Sequence, residues 1–217
     1  MKKIIIAILI LPIHCFASYG IISDIHAGKE KIRKNNAQDV VYPNKAEGQF
    51  KSALQKMKGL GLDFVLVLGD NTNDDSSKYS KEVKKIADKS GIKVIFAKGN
   101  HDGKAFKYIS GQNYYIRDIG GIRIIVLDTA EKLATSTGNL DLVQLQWLKS
   151  VIQDNSIVIQ HHPVFDRNMN VLPQYKEEYE LINANHSKAY FGHWHTSWKK
   201  DNYQGVPALT SGGFIIN

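Results

Sequence analysis

Short apolar runs punctuated by turn residues recur along the chain: Tyr19 to Ser23, Phe64 to Leu68, Val94 to Ala97, Ile122 to Leu127, Ile157 to Ile159 and Ala189 to Phe191. Such runs predict strands buried on both faces, because a strand with one wet face alternates apolar with polar residues. Between several of them the period changes. Phe50, Ala53, Leu54 and Met57 stand at i, i+3, i+4 and i+7, one face of a helix, and Val83, Ile86 and Ala87 continue that spacing in the next segment. Asp141 followed by Gln144 offers a capping pair for a third helix reaching Ile152, with Leu145, Leu148 and Ile152 on one face. Strands alternating with helices predict an α/β layered domain. Segments near Tyr114 to Arg117, Ser197 to Tyr203 and Ala208 to Ser211 predict antiparallel additions, hence mixed sheets. No repeat of roughly 20 to 50 residues and no low-complexity run interrupts the pattern, so one domain is expected.

The first segment obeys another logic. Lys2 and Lys3 precede an apolar run, Ile4 to Ile13, broken only by Pro12, and Cys15-Phe16-Ala17 is a small-x-small cleavage pattern. This predicts a signal peptide over residues 1–17, a domain over 18–217, and a secreted or periplasmic location. The apolar run is too short for a comfortable membrane span, so none is expected in the mature chain. Leu-Pro-Ile-His-Cys resembles a lipoprotein acceptor site, but His14 stands where a small residue is required, which argues against a lipid-anchored form. The alternative for residues 1–17 is an apolar first strand. Cys15 is the sole cysteine, so the mature chain carries no thiol and gains no disulfide.

Composition narrows the classes. With 217 residues, 43% of them hydrophobic, the chain can bury a sizeable core, which excludes disorder, collagen and a disulfide-stapled miniprotein. Lys and Arg outnumber Asp and Glu by 28 to 21, and loss of Lys2 and Lys3 lowers the net charge from +7 to +5. That balance attracts an anionic partner without choosing among nucleic acid, anionic lipid and phosphorylated metabolites.

The residues just past the predicted strands are more specific. The first run ends in Asp24-Ile25-His26, the second in Gly69-Asp70-Asn71-Thr72-Asn73, and the third leads to Gly99-Asn100-His101-Asp102. The run at Ile157 leads to His161-His162-Pro163, and that at Ala189 to Gly192-His193-Trp194-His195. In open α/β sheets the carboxyl ends of the strands form the binding edge, so these clusters can converge although they lie between positions 24 and 195. Asp24 and His26 are two apart, as are His193 and His195, which in extended chain puts each pair on one side, able to grip one region. Carboxylate, carboxamide and imidazole without thiolate suit Mn, Fe or Zn. Seven such groups exceed what one ion takes, whereas two ions sharing a carboxylate would use them all.

The ordered set Asp24-x-His26, Gly69-Asp70-x-x-Asn73, Gly99-Asn100-His101-Asp102, His161-x-Pro163 and Gly192-His193-x-His195 resembles the calcineurin-like metallophosphoesterase family. Gly138-x-Leu140, Gln144, Trp147 and Leu148 resemble the helix pattern of the branch with class III cyclic-nucleotide phosphodiesterases and purple acid phosphatases. The resemblance implies a four-layer αββα sandwich with two mixed β-sheets and a two-metal site along one edge. It assigns Asp24, His26, Asp70 and His195 to a first metal, and Asp70 as bridge, Asn100, His161 and His193 to a second. His101 matches the family's outer-sphere histidine, and Asp102 is expected to orient it. The plainer alternatives are a backbone-bonded buried histidine and a turn cap.

Such a pair of ions implies in-line attack of a metal-bridging hydroxide on a phosphate mono- or diester, with His101 as general acid. Covalent Ser or Cys catalysis and Walker-type ATP hydrolysis are disfavoured, since no Gly-x-Ser-x-Gly and no Gly-Lys-Ser/Thr loop occurs. The polar stretch Ala27 to Lys45, with Lys29, Lys31, Arg33 and Lys34, and the segment Asp166-Arg167-Asn168 are candidate rims that would meet a small phosphorylated substrate, with His162 a further candidate contact. Trp194 and Trp198 offer stacking surfaces, with core packing as the default. The chain ends at Asn217, soon after Gly212-Gly213, which predicts a small, open site. Two other readings compete. A non-catalytic protein of this fold would have lost ligands, and none is missing; a nucleic-acid-binding protein would interleave aromatics with a basic stripe, which this chain does not.

Overall fold

The structure is a computed structural model that describes residues 17–34, 40–130, 137–209 and 213–217. Its strands are β1 (Tyr19–Ile22), β2 (Arg33–Lys34), β3 (Val40–Val41), β4 (Phe64–Val67), β5 (Lys93–Phe96), β6 (Tyr115–Ile119), β7 (Ile122–Val126), β8 (Ile157–Gln160), β9 (Lys188–Phe191), β10 (Trp198–Lys200), β11 (Tyr203–Gly205) and β12 (Ile215–Ile216). The helices are α1 (Pro43–Gly59), α2 (Ser77–Ser90), α3 (Leu142–Val151) and α4 (Lys176–Ala184). One sheet has the order β12-β1-β4-β5, the other β10-β11-β9-β8-β7-β6, and β2 and β3 form a small ribbon apart. In the first sheet β1, β4 and β5 run parallel and β12 antiparallel. In the second, β7, β8, β9 and β11 are parallel, while β6 and β10 are antiparallel additions at the edges. Both sheets are mixed.

Alternation along the strands builds the layers. Tyr19, Ile21, Phe64, Leu66 and Ile95 of the first sheet meet Ile124, Val126, Ile157, Ile159 and Tyr190 of the second in a core between the sheets. The intervening residues Ile22, Val65, Val67 and Phe96 face Phe50, Leu54, Met57 and Val83 of α1 and α2. On the far side Ile125, Val158, Ala189 and Phe191 pack against Leu145, Leu148 and Ile182 of α3 and α4. Helices, sheet, sheet, helices: the four-layer αββα sandwich is the observed fold, and its buried strands on both faces account for their apolar runs.

The three expected helices form. Pro43 sits at the first turn of α1, where its missing N–H costs nothing, and Asp141 caps α3 by accepting the Gln144 N–H at 2.7 Å. The Ser197 to Tyr203 segment supplies an antiparallel addition, as expected, in the form of a tight hairpin, β10 to β11, turned at Asp201 with φ 51°. Two features differ from the sequence reading. Ala208 makes a single bridge to Ser23, while Thr210 and Ser211 lie outside the described residues. Helix α4 and strand β12 went unforeseen: α4 buries only Glu178 and Ile182, and a two-residue strand has no period to read. The expected signal peptide lies outside the described residues except for Ala17. Among the described residues no helix is long and apolar enough to cross a membrane.

Candidate metal centre

The loops leaving β1, β4, β5, β8 and β9 meet at one edge of the sandwich. Main-chain bonds stitch them together: Asp24 N–H donates to the Gly69 carbonyl (3.2 Å), His26 N–H to Asp70 (2.8 Å) and Gly192 N–H to His161 (3.1 Å). Asp24, His26, Asp70, His193 and His195 all have positive φ, between 48° and 64°. For non-glycine residues this left-handed backbone is uncommon and costs of order 1–3 kcal/mol each, and it gathers at sites where the surroundings over-determine it. The chain is therefore kinked, not extended, at both two-apart pairs. Gly192 serves the same crowding: a Cβ there would strike the Ser23 hydroxyl and lie 2.6 Å from the Asp24 carboxylate.

Two groups of ligand-type atoms result. In the first, His195 Nε2 lies 3.1 Å from Asp24 Oδ1 and 3.1 Å from His26 Nε2, and His26 Nε2 lies 3.6 Å from Asp70 Oδ2. In the second, His161 Nε2 lies 3.3 Å from Asp70 Oδ2, 3.0 Å from Asn100 Oδ1 and 3.2 Å from His193 Nδ1. Asp70 Oδ2 belongs to both. His193 and His195 thus part company, one at each end of the centre, although their two-apart spacing in extended chain predicts a grip on one region. The left-handed turn at each residue separates them.

These residues fit a pair of cations. Atoms bound about 2.1 Å from one ion at angles of roughly 90–109° stand about 3.0–3.4 Å apart. The second group's contacts to His161 Nε2 fall in that range. In the first group His195 lies within it of Asp24 and His26, while His26 stands 3.6 Å from Asp70 and 3.9 Å from Asp24. The surroundings orient the donors as metal sites require. His161 Nδ1–H donates to the Leu68 carbonyl at 2.9 Å, which turns a lone pair at Nε2 toward Asp70 and Asn100. Ser23 donates its hydroxyl to Asp24, whose carboxylate also accepts the His193 N–H at 3.1 Å. The field is negative. Burial alone would raise the Asp24 carboxyl, but His195 and His161 outweigh it and hold it at about 2, and His161 likewise keeps Asp70 well below the ordinary range. Burial draws His161 down, yet Asp70 and Asp24 push it up to about 9; at His26 burial prevails, leaving it at about 4.

His101 borders the first group, its ring 5.1 Å from that of His26 and its Nε2 4.0 Å from Asp70 Oδ2. Its backbone N–H donates to Asp70 Oδ1 at 2.9 Å, and its Nδ1 meets the Asn73 carbonyl at 2.9 Å. Asn73 completes the Gly69-Asp70-x-x-Asn73 pattern, and fixing this ring is a role the sequence alone did not assign to it. Asp102 does not orient His101. Its oxygens are taken by the N–H groups of Gly99 (2.8 Å) and Thr72 (2.9 Å) and by the Asn71 amide (2.8 Å), so it ties two ligand loops together in the interior. Burial, then Asp70, raises its carboxyl to about 6.

Of the candidate substrate contacts, Arg33 reaches the centre. Its Nη1 donates to Asn73 Oδ1 at 2.9 Å and stands 2.9 Å from His101 Nδ1, while Lys29, Lys31 and Lys34 are exposed and residues 35–39 of the same stretch lie outside the described residues. His162 is 1% exposed and packs 4.9 Å from the His161 ring and 4.5 Å from that of His193, so it braces two imidazoles and offers a ring nitrogen beside theirs. Gly138, at φ 63°, lets the chain pass against His162, where a Cβ would come within 2.5 Å of the ring. Gln144 clamps both backbone groups of Asp128 at the end of β7, at 2.7 and 2.9 Å. Those contacts give the Gly138 to Leu148 pattern its physical content. Arg167 lies over Trp194, 4.4 Å from the ring centre.

Known proteins extend the likeness. The family model described as calcineurin-like phosphoesterase matches residues 18–197. Similar solved structures include a dimetal phosphatase from Danio rerio, 13% identical with a TM-score of 0.73 over 92% of this chain and 91% of that one. A protein from Thermus thermophilus is 9% identical with a TM-score of 0.64 over 93% of each chain. A purple acid phosphatase from yellow lupin is 14% identical with a TM-score of 0.57 over 83% of this chain and 38% of that one. At such identities the structural likeness is one of fold. No curated protein matches the chain. The family match, however, runs through every strand that delivers a residue to this centre, and the chain belongs to the calcineurin-like phosphoesterases.

Proposed function

We propose that the chain hydrolyses phosphate mono- or diesters with two divalent or trivalent cations, Mn, Fe or Zn. Asp24, His26, Asp70 and His195 hold one ion; Asp70, Asn100, His161 and His193 hold the other. The single observation that carries this reading is the position of Asp70 Oδ2, 3.6 Å from His26 Nε2 and 3.3 Å from His161 Nε2, a carboxylate oxygen common to two donor groups. When bound, such a pair supplies Lewis-acid polarisation of phosphoryl oxygens and a nucleophilic water at neutral pH.

The chain's own side chains supply the rest. His101, whose Nδ1 lies 2.9 Å from both the Asn73 carbonyl and Arg33 Nη1, has Nε2 on the Asp70 side, and in its protonated form it gives a proton to a leaving oxygen there. The adjacent Arg33 guanidinium is held by Asn73 Oδ1 and offers a fixed positive charge to phosphoryl oxygens. Purified protein stripped of metal and reloaded with Mn or Zn is expected to release nitrophenol from nitrophenyl phosphate, from its bis-nitrophenyl diester, or from both. The balance of the two separates monoesterase from diesterase. Protein that takes up no metal and cleaves neither ester sinks the proposal.

The basic, apolar, small-x-small start of the chain supports an exported enzyme acting on small phosphorylated substrates outside the cytoplasm. N-terminal sequencing of the protein recovered from its native compartment is expected to begin at Ser18. A start at Met1 refutes export by this signal.

A further inference from the structure

A second feature adjoins the centre. A cavity of about 270 Å³ is lined by His193, Trp194, Pro163, Phe165, Leu172 and Arg167 among others. Its walls come from the segments that follow His161 and His193, so anything seated in it lies next to the second donor group. The volume falls just below the usual ligand-pocket range of about 300–1,000 Å³, enough for one ring system and not for an extended chain of them.

The segment after Phe165 is built to hold Arg167 in place. Phe165 bridges to Val171, Asp166 N–H donates to the Asn170 carbonyl at 2.9 Å, and Met169 turns the chain at φ 64°. The Asp166 carboxylate is engaged by the backbone N–H groups of Asn168 (2.8 Å) and Asn170 (2.9 Å), which leaves it serving the turn. Arg167 sits at this turn with its guanidinium over the Trp194 indole. Behind Trp194 lies Trp198, 5.5 Å away between ring centres, itself 5.7 Å from Phe165. A planar group entering the cavity therefore meets aromatic rings and a stacked guanidinium, surfaces that favour π systems over saturated chains.

Resting on the phosphoesterase reading above, we infer that this cavity receives the organic group of the ester and that Trp194 and Arg167 select esters bearing a planar aromatic or heterocyclic ring. Phosphorus then sits over the two donor groups while the ring lies against the indole–guanidinium stack.

Benzyl phosphate and n-butyl phosphate test this, because both leave as simple alkoxides and differ in the ring. Metal-loaded protein is expected to favour the benzyl ester by roughly five- to tenfold in kcat/KM, expressed mainly in KM. In a parallel titration that needs no turnover, benzylphosphonate is expected to shift indole fluorescence at several-fold lower concentration than butylphosphonate. Trp194→Leu and Arg167→Met should each bring both ratios toward one, and Trp194→Phe should restore part of the preference. Arg167→Met lies outside the ligand segments, so it keeps the test valid if the Trp194 variants fail to fold. Phosphate release from both esters without ring preference, or a preference unmoved in Arg167→Met, overturns this inference alone. No release from either ester by protein that also cleaves neither nitrophenyl ester overturns the phosphoesterase reading together with it; where the diester alone is cleaved, the same comparison is made with benzyl nitrophenyl phosphate and n-butyl nitrophenyl phosphate.

Discussion

His26 and His195, separated by 169 positions in sequence, present their Nε2 atoms to each other at 3.1 Å. Two bare imidazole nitrogens repel at that distance, so the arrangement calls for a proton or a cation between them. The Nδ1 of His26 is buried with no hydrogen-bond partner among the described residues, and burial leaves the ring neutral below the ordinary histidine range. A cation between the two Nε2 atoms replaces their repulsion with a bond to each ring. Added Zn or Mn is therefore expected to stabilise the fold, by about 2.7 kcal/mol at a hundredfold excess over Kd, or roughly 5–10 °C in Tm for a domain this size. Calorimetry with and without a chelator measures it, and superimposable melts would count against a metal centre.

Asp70 and His101 adjoin each other yet should separate cleanly in mutants. Asp70 Oδ2 is common to both donor groups, whereas His101 touches Asp70 through its backbone N–H and keeps its ring at the rim. Asp70→Asn is expected to lose both ions. His101→Gln is expected to keep them and lose about 10²- to 10⁴-fold in kcat, the usual range for a missing general acid. Metal content measured beside turnover decides the matter; equal metal loss in the two variants contradicts the roles given to them.

Asp102 predicts a stability phenotype and not a catalytic one. It is fully buried and accepts from two backbone N–H groups, those of Gly99 and Thr72, and from the Asn71 amide. Asp102→Ala strands all three donors at roughly 1–3 kcal/mol for each that finds no substitute. A urea midpoint close to that of the wild type would show the loops held by something else.

How much of this was readable beforehand differs by feature. The strand ends could be read because an apolar run stopping at Asp, Asn or His places chemistry at a sheet edge whatever the side-chain detail. The sign of φ could not: nothing in Asp24-Ile25-His26 or His193-Trp194-His195 marks the left-handed turns that set one histidine of the second pair in each donor group. Asp102 misled because sequence neighbours share a motif without sharing a face, and a carboxylate one residue past His101 points into the loop interior. Arg33 stands in a polar stretch without period, and only the fold brings it to Asn73. Helix α4 escaped notice because one of its two buried residues, Glu178, is an acid.

The same acid makes stability depend on pH. Glu178 is 1% exposed, neither carboxyl oxygen has a hydrogen-bond partner among the described residues, and Tyr175 and Tyr203 are the titratable groups it interacts with. Burial pushes its carboxyl up to about 8. In the unfolded chain a glutamate titrates near 4.3. Between about 4.3 and 8 the folded state thus holds a proton the unfolded state has released, and stability falls as pH rises through that window, by at most about 1.4 kcal/mol per unit. Glu178→Gln removes the proton from the balance. Its stability relative to the wild type is expected to grow steadily from pH 5 to pH 8 in urea unfolding, reaching several kcal/mol, whereas parallel pH profiles for the two proteins would show that the buried acid does not hold its proton.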